Sequence, residues 1–388
     1  MADSRFLPEM ERKMVVKLAD NIISPLGITT EENYRAVKAG HSALRLHEGV
    51  AGIPIPFYAS LLEEDVLTIE GDYTKFERMC IQSIAAALSQ CYIDASSERV
   101  LFIVSTTKAN VSLLASGRYP AVNDLPPAVL PGVAASRIAS YFSNHRTPLV
   151  VSNACISGVC AQIEAMRALE SGLFDYAVVV GADVQSPFIV TGFQALKAVS
   201  AEACRPFDCD RKGLNLGEAA ATVIYGRSDV ATDRWQMVCG AVRNDANHIS
   251  GPSRTGEGSY MALSSVLQHI DASDIAFVSA HGTATLYNDE MESIAVSRAG
   301  LADIPVGSLK GHYGHTMGAA GVLETLLSMC AVDDHTILGT RGFENLGVSH
   351  PISVSSENRT TERHTFIKLI SGFGGCNAAA AFKKGGDR

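Results

Sequence analysis

The stretch VSNACISGVCAQIEAMRALESG, residues 151–172, carries the chain from a strand into a helix, and its reading decides the fold. The apolar run at 149–152 predicts the strand. Ile156, Val159, Cys160, Ile163, Met166 and Leu169 then recur on one side at helical period, predicting a helix over 156–171. Cys155 stands at the junction. A thiol at the first turn of a helix faces unpaired backbone N–H groups and the positive end of the macrodipole. Both favour the thiolate, which is the reactive species. The turn also lifts the side chain clear of the sheet edge, where α/β sheets meet their ligands. Ser157 and Gly158, which follow, allow a substrate to come close. A cysteine taken alone is more often a small buried apolar residue. What singles out Cys155 is the rest of the chain.

Outward from this junction, short apolar runs alternate with helical patterns, the signature of an α/β layered architecture. Strands are predicted at 14–18, 100–104, 149–152, 177–180, 221–225, 275–279, 305–307, 352–355 and 366–370, with a further candidate at 237–241. Several are continuously apolar, as in strands covered on both faces. Helices are predicted at 31–39, 73–91, 156–171, 259–268, 289–299 and 318–332. No low-complexity linker divides the chain, and the nearest thing to a boundary is the polar stretch 227–235. VLFIVSTT (100–107) and IAFVSAHGT (275–283), one on each side, are both strands running into Ser/Thr-containing loops. This hints at a duplication, with halves 1–230 and 231–388.

Composition narrows the function. Of 388 residues, 47% are apolar and 19% charged, as in an ordinary globular protein with a large core. The formal net charge of -9 argues against a general nucleic-acid binder, which needs a basic face. No apolar run approaches the ~18 residues that span a bilayer. The charged N-terminus MADSRFLPEMERK does not read as a secretory signal. Nine cysteines without framework spacing read as reduced thiols in a cytoplasmic protein. Cys155/Cys160 and Cys204/Cys209 each have four residues between them, at the wide end for a zinc knuckle, which usually brings its cysteines closer and supplies a second matching pair.

Two histidines join Cys155 as candidates. His281 follows a strand in SAHGTATLYNDEMES, and His315 lies in SLKGHYGHTMGAAGVLE, a glycine-rich turn opening onto a helix. His312, three residues before His315, is the hardest of the others to set aside. SGFGGCNAAAAF (371–382) places glycines around Phe373 directly after a strand, where backbone N–H groups can point into a cavity.

Together these segments resemble the β-ketoacyl synthases, the elongating condensing enzymes of fatty-acid and polyketide assembly. SPLGITTEENYRAVKAGHSALR (24–45), the Cys155 segment, GFQALKAVS, CRPFDCDRKGLNLGEAAA, the two histidine segments and the glycine loop occur in the family's order over nearly the whole chain. The resemblance implies a thiolase fold: two similar βαβαβαββ halves in a five-layer α-β-α-β-α sandwich, the first carrying the nucleophile and the second both histidines. It implies decarboxylative Claisen condensation of an enzyme-bound acyl group with malonyl-acyl carrier protein. No metal or cofactor is implied beyond the carrier's 4'-phosphopantetheine, and the expected assembly is a homodimer, or a heterodimer with a ketosynthase-like subunit.

Residue by residue, Cys155 in ACISG matches the acylated cysteine. His281 in HGTAT matches the first active-site histidine, with Thr283 and Thr285 on the phosphopantetheine arm and Asp289 ordering the loop. His315 matches the second histidine, with Lys310 as the family lysine and Glu324 as its partner. Phe373 matches the gate to the acyl pocket; its N–H and that of Cys155 form the implied oxyanion hole. Phe193 is expected to line the substrate site and Lys197 to contact the carrier. Both imidazoles are expected to donate from Nε2 to the enolate oxygen.

The chain departs from the pattern at Leu18-Ala19-Asp20 in the first strand, at Ser371 where a second aromatic is usual, and at Cys376. It is also short between positions 57 and 147. Two other readings share these motifs. A non-catalytic partner subunit of the chain-length-factor type keeps the fold but loses the cysteine. A thiolase or initiating synthase uses a second cysteine or an asparagine in place of His315.

Overall fold

The computed structural model describes residues 14–116, 125–228, 230 and 232–386. The N-terminal stretch read against a secretory signal therefore lies outside the described residues. Ten strands form the main sheet: β1 (Met14–Ile23), β2 (Val100–Ser105), β3 (Leu149–Val151), β4 (Tyr176–Asp183), β5 (Ala219–Ser228), β6 (Trp235–Asn244), β7 (Ile275–Ser279), β8 (Val306–Gly307), β9 (Thr365–Gly372) and β10 (Cys376–Lys384). Their spatial order is 8-7-9-10-6-1-5-4-2-3. Read from the centre outward, each half runs first strand, last, fourth, second, third. In the first half β1/β5 and β5/β4 are antiparallel while β4/β2 and β2/β3 are parallel. The second half repeats this with β6/β10, β10/β9, β9/β7 and β7/β8. The same topology thus occurs twice. The halves meet where β1 touches β6, through Val15–Met237 and Val16–Gln236.

The helices are α1 (Thr30–Lys38), α2 (Lys75–Leu88), α3 (Pro131–Tyr141), α4 (Ser157–Glu170), α5 (Pro187–Ala195), α6 (Glu257–Val266), α7 (Leu286–Arg298), the single turn α8 (Lys310–Tyr313) and α9 (Ala320–Asp333). Helices α4 and α9 lie between the two half-sheets; α2 and α3 cover the outer face of one, and α6, backed by α7, that of the other. This is the expected five-layer α/β sandwich. Its apolar core accordingly divides into an inner cluster around Ile163, Leu326 and Phe366 and two outer ones around Ile84 and Leu263, with a smaller fourth around Phe57, Phe193 and Leu216. Sequence chemistry sets the helix starts. Thr74 and Glu77 form a reciprocal capping box at α2, as do Thr29 and Glu32 at α1. Central helices α4 and α9 approach so closely that a Cβ on Gly158 would lie 2.9 Å from the Gly321 Cα. Only glycine fits there.

The structure corrects several sequence expectations. The run 352–355 forms no strand: Val354 N–H turns back to Ile352 O at 3.1 Å, kinking the chain, and only Ser353 bridges to Pro305. Helices α3 and α5, each opened by a proline, were not expected, nor was strand β10. The CNAAAAFKK sequence of β10 is poor in β-formers, but Ala378–Ala381 are wholly buried between two helical layers. Methyl-sized side chains are what that space accepts, and packing overrides propensity.

Candidate active site

Cys155 sits between β3 and α4, 6% exposed. Ala154, just before it, holds a left-handed φ of 45°, a conformation that costs a non-glycine residue free energy and marks a constrained turn. Ser157 clasps this turn: its hydroxyl accepts from Asn153 N–H at 2.8 Å and donates to Ala154 O at 2.6 Å. The Phe373 backbone N–H, delivered by the glycine loop between β9 and β10, faces the Cys155 sulfur.

His281 lies two residues beyond the end of β7. Its N–H and that of Gly282 both donate to the Glu292 carboxylate, each at 2.7 Å. Asp289 accepts from the N–H groups of Thr283, Ala284 and Phe207, so it does order this loop. His315 comes from the turn between α8 and α9. Its N–H donates to Asn215 O at 2.7 Å, and its carbonyl accepts from Gly217 N–H at 3.0 Å. The strand ends of the first half grip the same turn: Asp183 accepts from Gly318 N–H and the Ser105 hydroxyl donates to Gly318 O, both at 2.7 Å. The Cys155 sulfur and one nitrogen from each of His281 and His315 lie within 4.8 Å of one another.

Neighbouring groups settle where the imidazole protons sit. His315 Nδ1 accepts from Met317 N–H at 3.2 Å, which leaves its proton on Nε2. Asn288 presents Oδ1 to His281 Nδ1 at 3.2 Å, because its amide nitrogen is held by Glu292 at 2.8 Å and Asp289 at 3.2 Å. That assigns the His281 proton to Nδ1 and leaves Nε2 bare. The two Nε2 atoms are 3.3 Å apart, His315 donating and His281 accepting. Two neutral imidazoles that both donate from Nε2, as expected from the resemblance, do not fit these contacts. Asn288 was not singled out in the sequence; its place one turn from Glu292 on α7 is the signal that could have found it.

Burial dominates the electrostatics. It holds both imidazoles well below the usual histidine range, reinforced by the Lys310 and Lys368 ammonium groups. Burial likewise pushes the Cys155 thiol up to about 12, against the pull of Lys310 and the Phe373 N–H. The thiolate expected at the helix start is therefore not the resting form: removal from water outweighs the dipole. Cys376, at the start of β10, has its thiol pushed up to about 11 by burial, and its sulfur lies 3.2 Å from Phe373 O. His312 points away, its Nδ1 2.6 Å from His41 O.

A cavity of about 590 Å³ reaches the triad. Phe193 and Phe373 stack across it, centroids 5.6 Å apart. Thr283 and Thr285, with hydroxyls 2.9 Å apart, line its course, and Lys197 lies at its mouth. Beneath the histidines Lys310 pairs with Glu324, both buried. Glu324 also pairs with a residue the sequence reading missed, Lys368, at 2.5 Å. The signal was there: a lysine amid TFIKLISG, an otherwise apolar strand.

Comparison with known proteins agrees with fold and motifs. Residues 71–231 match the N-terminal domain of β-ketoacyl synthases and 237–344 the C-terminal domain. The chain belongs to the β-ketoacyl synthase family. It is 27% identical to 3-oxoacyl-[acyl-carrier-protein] synthase 2 of Vibrio cholerae over 97% of this chain and 100% of that one. The corresponding synthase of Rhizobium meliloti is 32% identical over 60% of each chain. Among solved structures, a chain from the complex of a ketosynthase with its chain length factor from Xenorhabdus doucetiae superposes with a TM-score of 0.85. It is 23% identical and covers 98% of this chain and 100% of that one. Among the described residues no helix is long and apolar enough to cross a membrane.

Proposed function

We propose that this chain condenses an acyl group held on Cys155 with malonyl-acyl carrier protein, releasing carbon dioxide and giving a 3-oxoacyl-acyl carrier protein. One observation carries the reading: a sulfur and two imidazoles converge within 4.8 Å at the base of a cavity lined by apolar and hydroxyl side chains. In the first stage the Cys155 proton passes to the bare His281 Nε2 as sulfur attacks the acyl thioester. The N–H groups of Cys155 and Phe373 stabilise the tetrahedral oxyanion. The leaving carrier thiolate takes the proton back, restoring neutral His281. In the second stage a malonyl thioester loses carbon dioxide, and His315 Nε2–H donates to the enolate oxygen. The enolate carbon attacks the acyl-Cys155 carbonyl, and the departing Cys155 thiolate takes a proton from water, the one that loss of carbon dioxide consumes overall, to complete the cycle. Substrates arrive on the phosphopantetheine of a carrier protein, past Thr283 and Thr285, and the working assembly is a dimer.

Mass spectrometry after incubation with a mixture of acyl-carrier thioesters tests this reading. Acyl mass is expected on Cys155, and adding malonyl-carrier should discharge it as 3-oxoacyl product. Folded protein that stays unlabelled by every acyl chain and by cerulenin would point instead to a non-catalytic partner subunit.

A further inference from the structure

Lys368 is wholly buried in β9, between Ile367 and Leu369. Its ammonium donates to Ser279 O and Ala280 O, both at 3.0 Å, and pairs with Glu324 Oε2 at 2.5 Å. The other Glu324 oxygen holds Lys310. Ser279 and Ala280 are the last residues before His281, and Lys310 opens the turn that leads to His315. A single carboxylate thus ties both histidine arms together, one through each lysine. Two ammonium groups around one carboxylate also leave one positive charge in excess.

Stability alone gives no reason for this lysine. A buried ion costs several kcal/mol of desolvation, and an apolar residue would suit the strand at least as well. We infer that Lys368 is a positioning residue for the condensation: it fixes the His281 arm to Glu324 and supplies positive charge behind both histidines that favours the enolate. The inference rests on the condensing reading above.

The charges around the imidazoles are consistent with it. Lys310 and Lys368 are cations near both rings, and Lys108 near His315, although Lys108 is paired with Asp183 at 3.2 Å. Burial lowers Lys368 itself from the usual lysine range, against the pull of Glu324 and Glu292; Glu292 and Asp289, held by backbone N–H groups, have their carboxyls pushed up by burial to about 7 and about 6. Glu324 is held ionised between the two lysines. Removing the Lys368 charge should therefore let the histidines protonate at higher pH.

The experiment compares Lys368→Gln and Lys368→Ala with the wild type, using carbon dioxide release from a malonyl-N-acetylcysteamine thioester as a function of pH. Glutamine can still reach the two carbonyls but carries no charge. For Lys368→Gln the acid limb should move up by about one pH unit, with kcat falling ~10-fold or more and KM little changed. For Lys368→Ala, added propylammonium should restore activity while tetramethylammonium should not. An unmoved acid limb in Lys368→Gln, or no amine rescue in Lys368→Ala, overturns the inference; so does aggregation of both variants, which would assign Lys368 to the core alone. If the wild type is inert, the condensing reading fails. Histidine-ring NMR titrations then still decide whether Lys368→Gln raises the pKa values of His281 and His315.

Discussion

His281 Nε2 and His315 Nε2 lie 3.3 Å apart, and their rings meet nearly edge-on, with centroids 4.9 Å apart at 76°. Each ring's far nitrogen is committed elsewhere: His281 Nδ1 to Asn288 and His315 Nδ1 to the Met317 N–H. The pair is therefore asymmetric. One imidazole offers a proton where the other offers a lone pair, so the two stages of the reaction should be separable by mutation.

Removing the donor tests the second stage. His315→Ala should lower malonyl decarboxylation and condensation by ~10²–10³-fold, the usual effect of deleting one donor to a developing oxyanion. Acylation of Cys155, followed by intact mass, should persist. A variant that condenses at the wild-type rate would contradict the role given to His315.

The first stage depends on where the Cys155 proton goes. Burial pushes this thiol up to about 12, so the free protein holds little thiolate at neutral pH. Alkylation by iodoacetamide, which needs the thiolate, should accelerate about tenfold per pH unit up to about pH 10 without levelling. Acylation by an acyl thioester should level off far lower, once His281 is neutral. His281→Ala should slow acylation by ~10²-fold and leave the slope of alkylation unchanged. Alkylation that levels off near neutral pH would show a thiolate already formed at the helix start.

Much of this was legible in the sequence, and what was not has identifiable causes. Continuous apolar runs such as VLFIVS announce strands buried on both faces, and Cys155, His281 and His315 each stand where an element ends, so pattern and chemistry agree. Strand β10 was hidden because its alanines are chosen by the narrow space between layers, not by strand preference. Lys368 was hidden because an isolated lysine in a strand normally marks a solvated edge; only the fold shows Glu324 opposite it. The Cys155 thiol was misjudged because helix-end charge can be read locally whereas burial is a property of the whole fold.

His312 supplies a stability prediction free of the chemistry. Burial pushes its imidazole down to about 4, and its ring is held on His41 O. The unfolded chain takes up this proton near pH 6.5, and the folded protein takes it up only near 4. Stability should therefore fall as pH drops through that window. At pH 5 the loss from this one group is about 2 kcal/mol relative to pH 7. Urea denaturation at both pH values should show His312→Gln losing about that much less than the wild type. The opposite contributions of Asp289 and Glu292 are common to both proteins and cancel. An equal pH dependence in the two proteins would refute the assignment.

Lys197 tests how the carrier is received. The protein is acidic overall, with a formal net charge of -9, so an acidic carrier protein, the partner proposed above, would need local positive charge to dock. Lys212, which also lines the cavity, is spent on Glu202 at 2.6 Å, and Arg205, near it in sequence, on Asp208 and Glu344. Lys197 is exposed, lines the cavity and makes no ion pair with any described residue. Its left-handed φ of 56° complicates the test, because any substitution alters a constrained backbone. Two substrates separate charge from backbone. Lys197→Glu should raise KM for an acyl-carrier thioester by ~10-fold at low salt, with kcat little changed. The effect should shrink as ionic strength rises and screening sets in. KM for the corresponding acyl-N-acetylcysteamine thioester, which has no carrier, should stay at the wild-type value. Equal losses with both substrates would mean that position 197 shapes the cavity and that the carrier binds elsewhere.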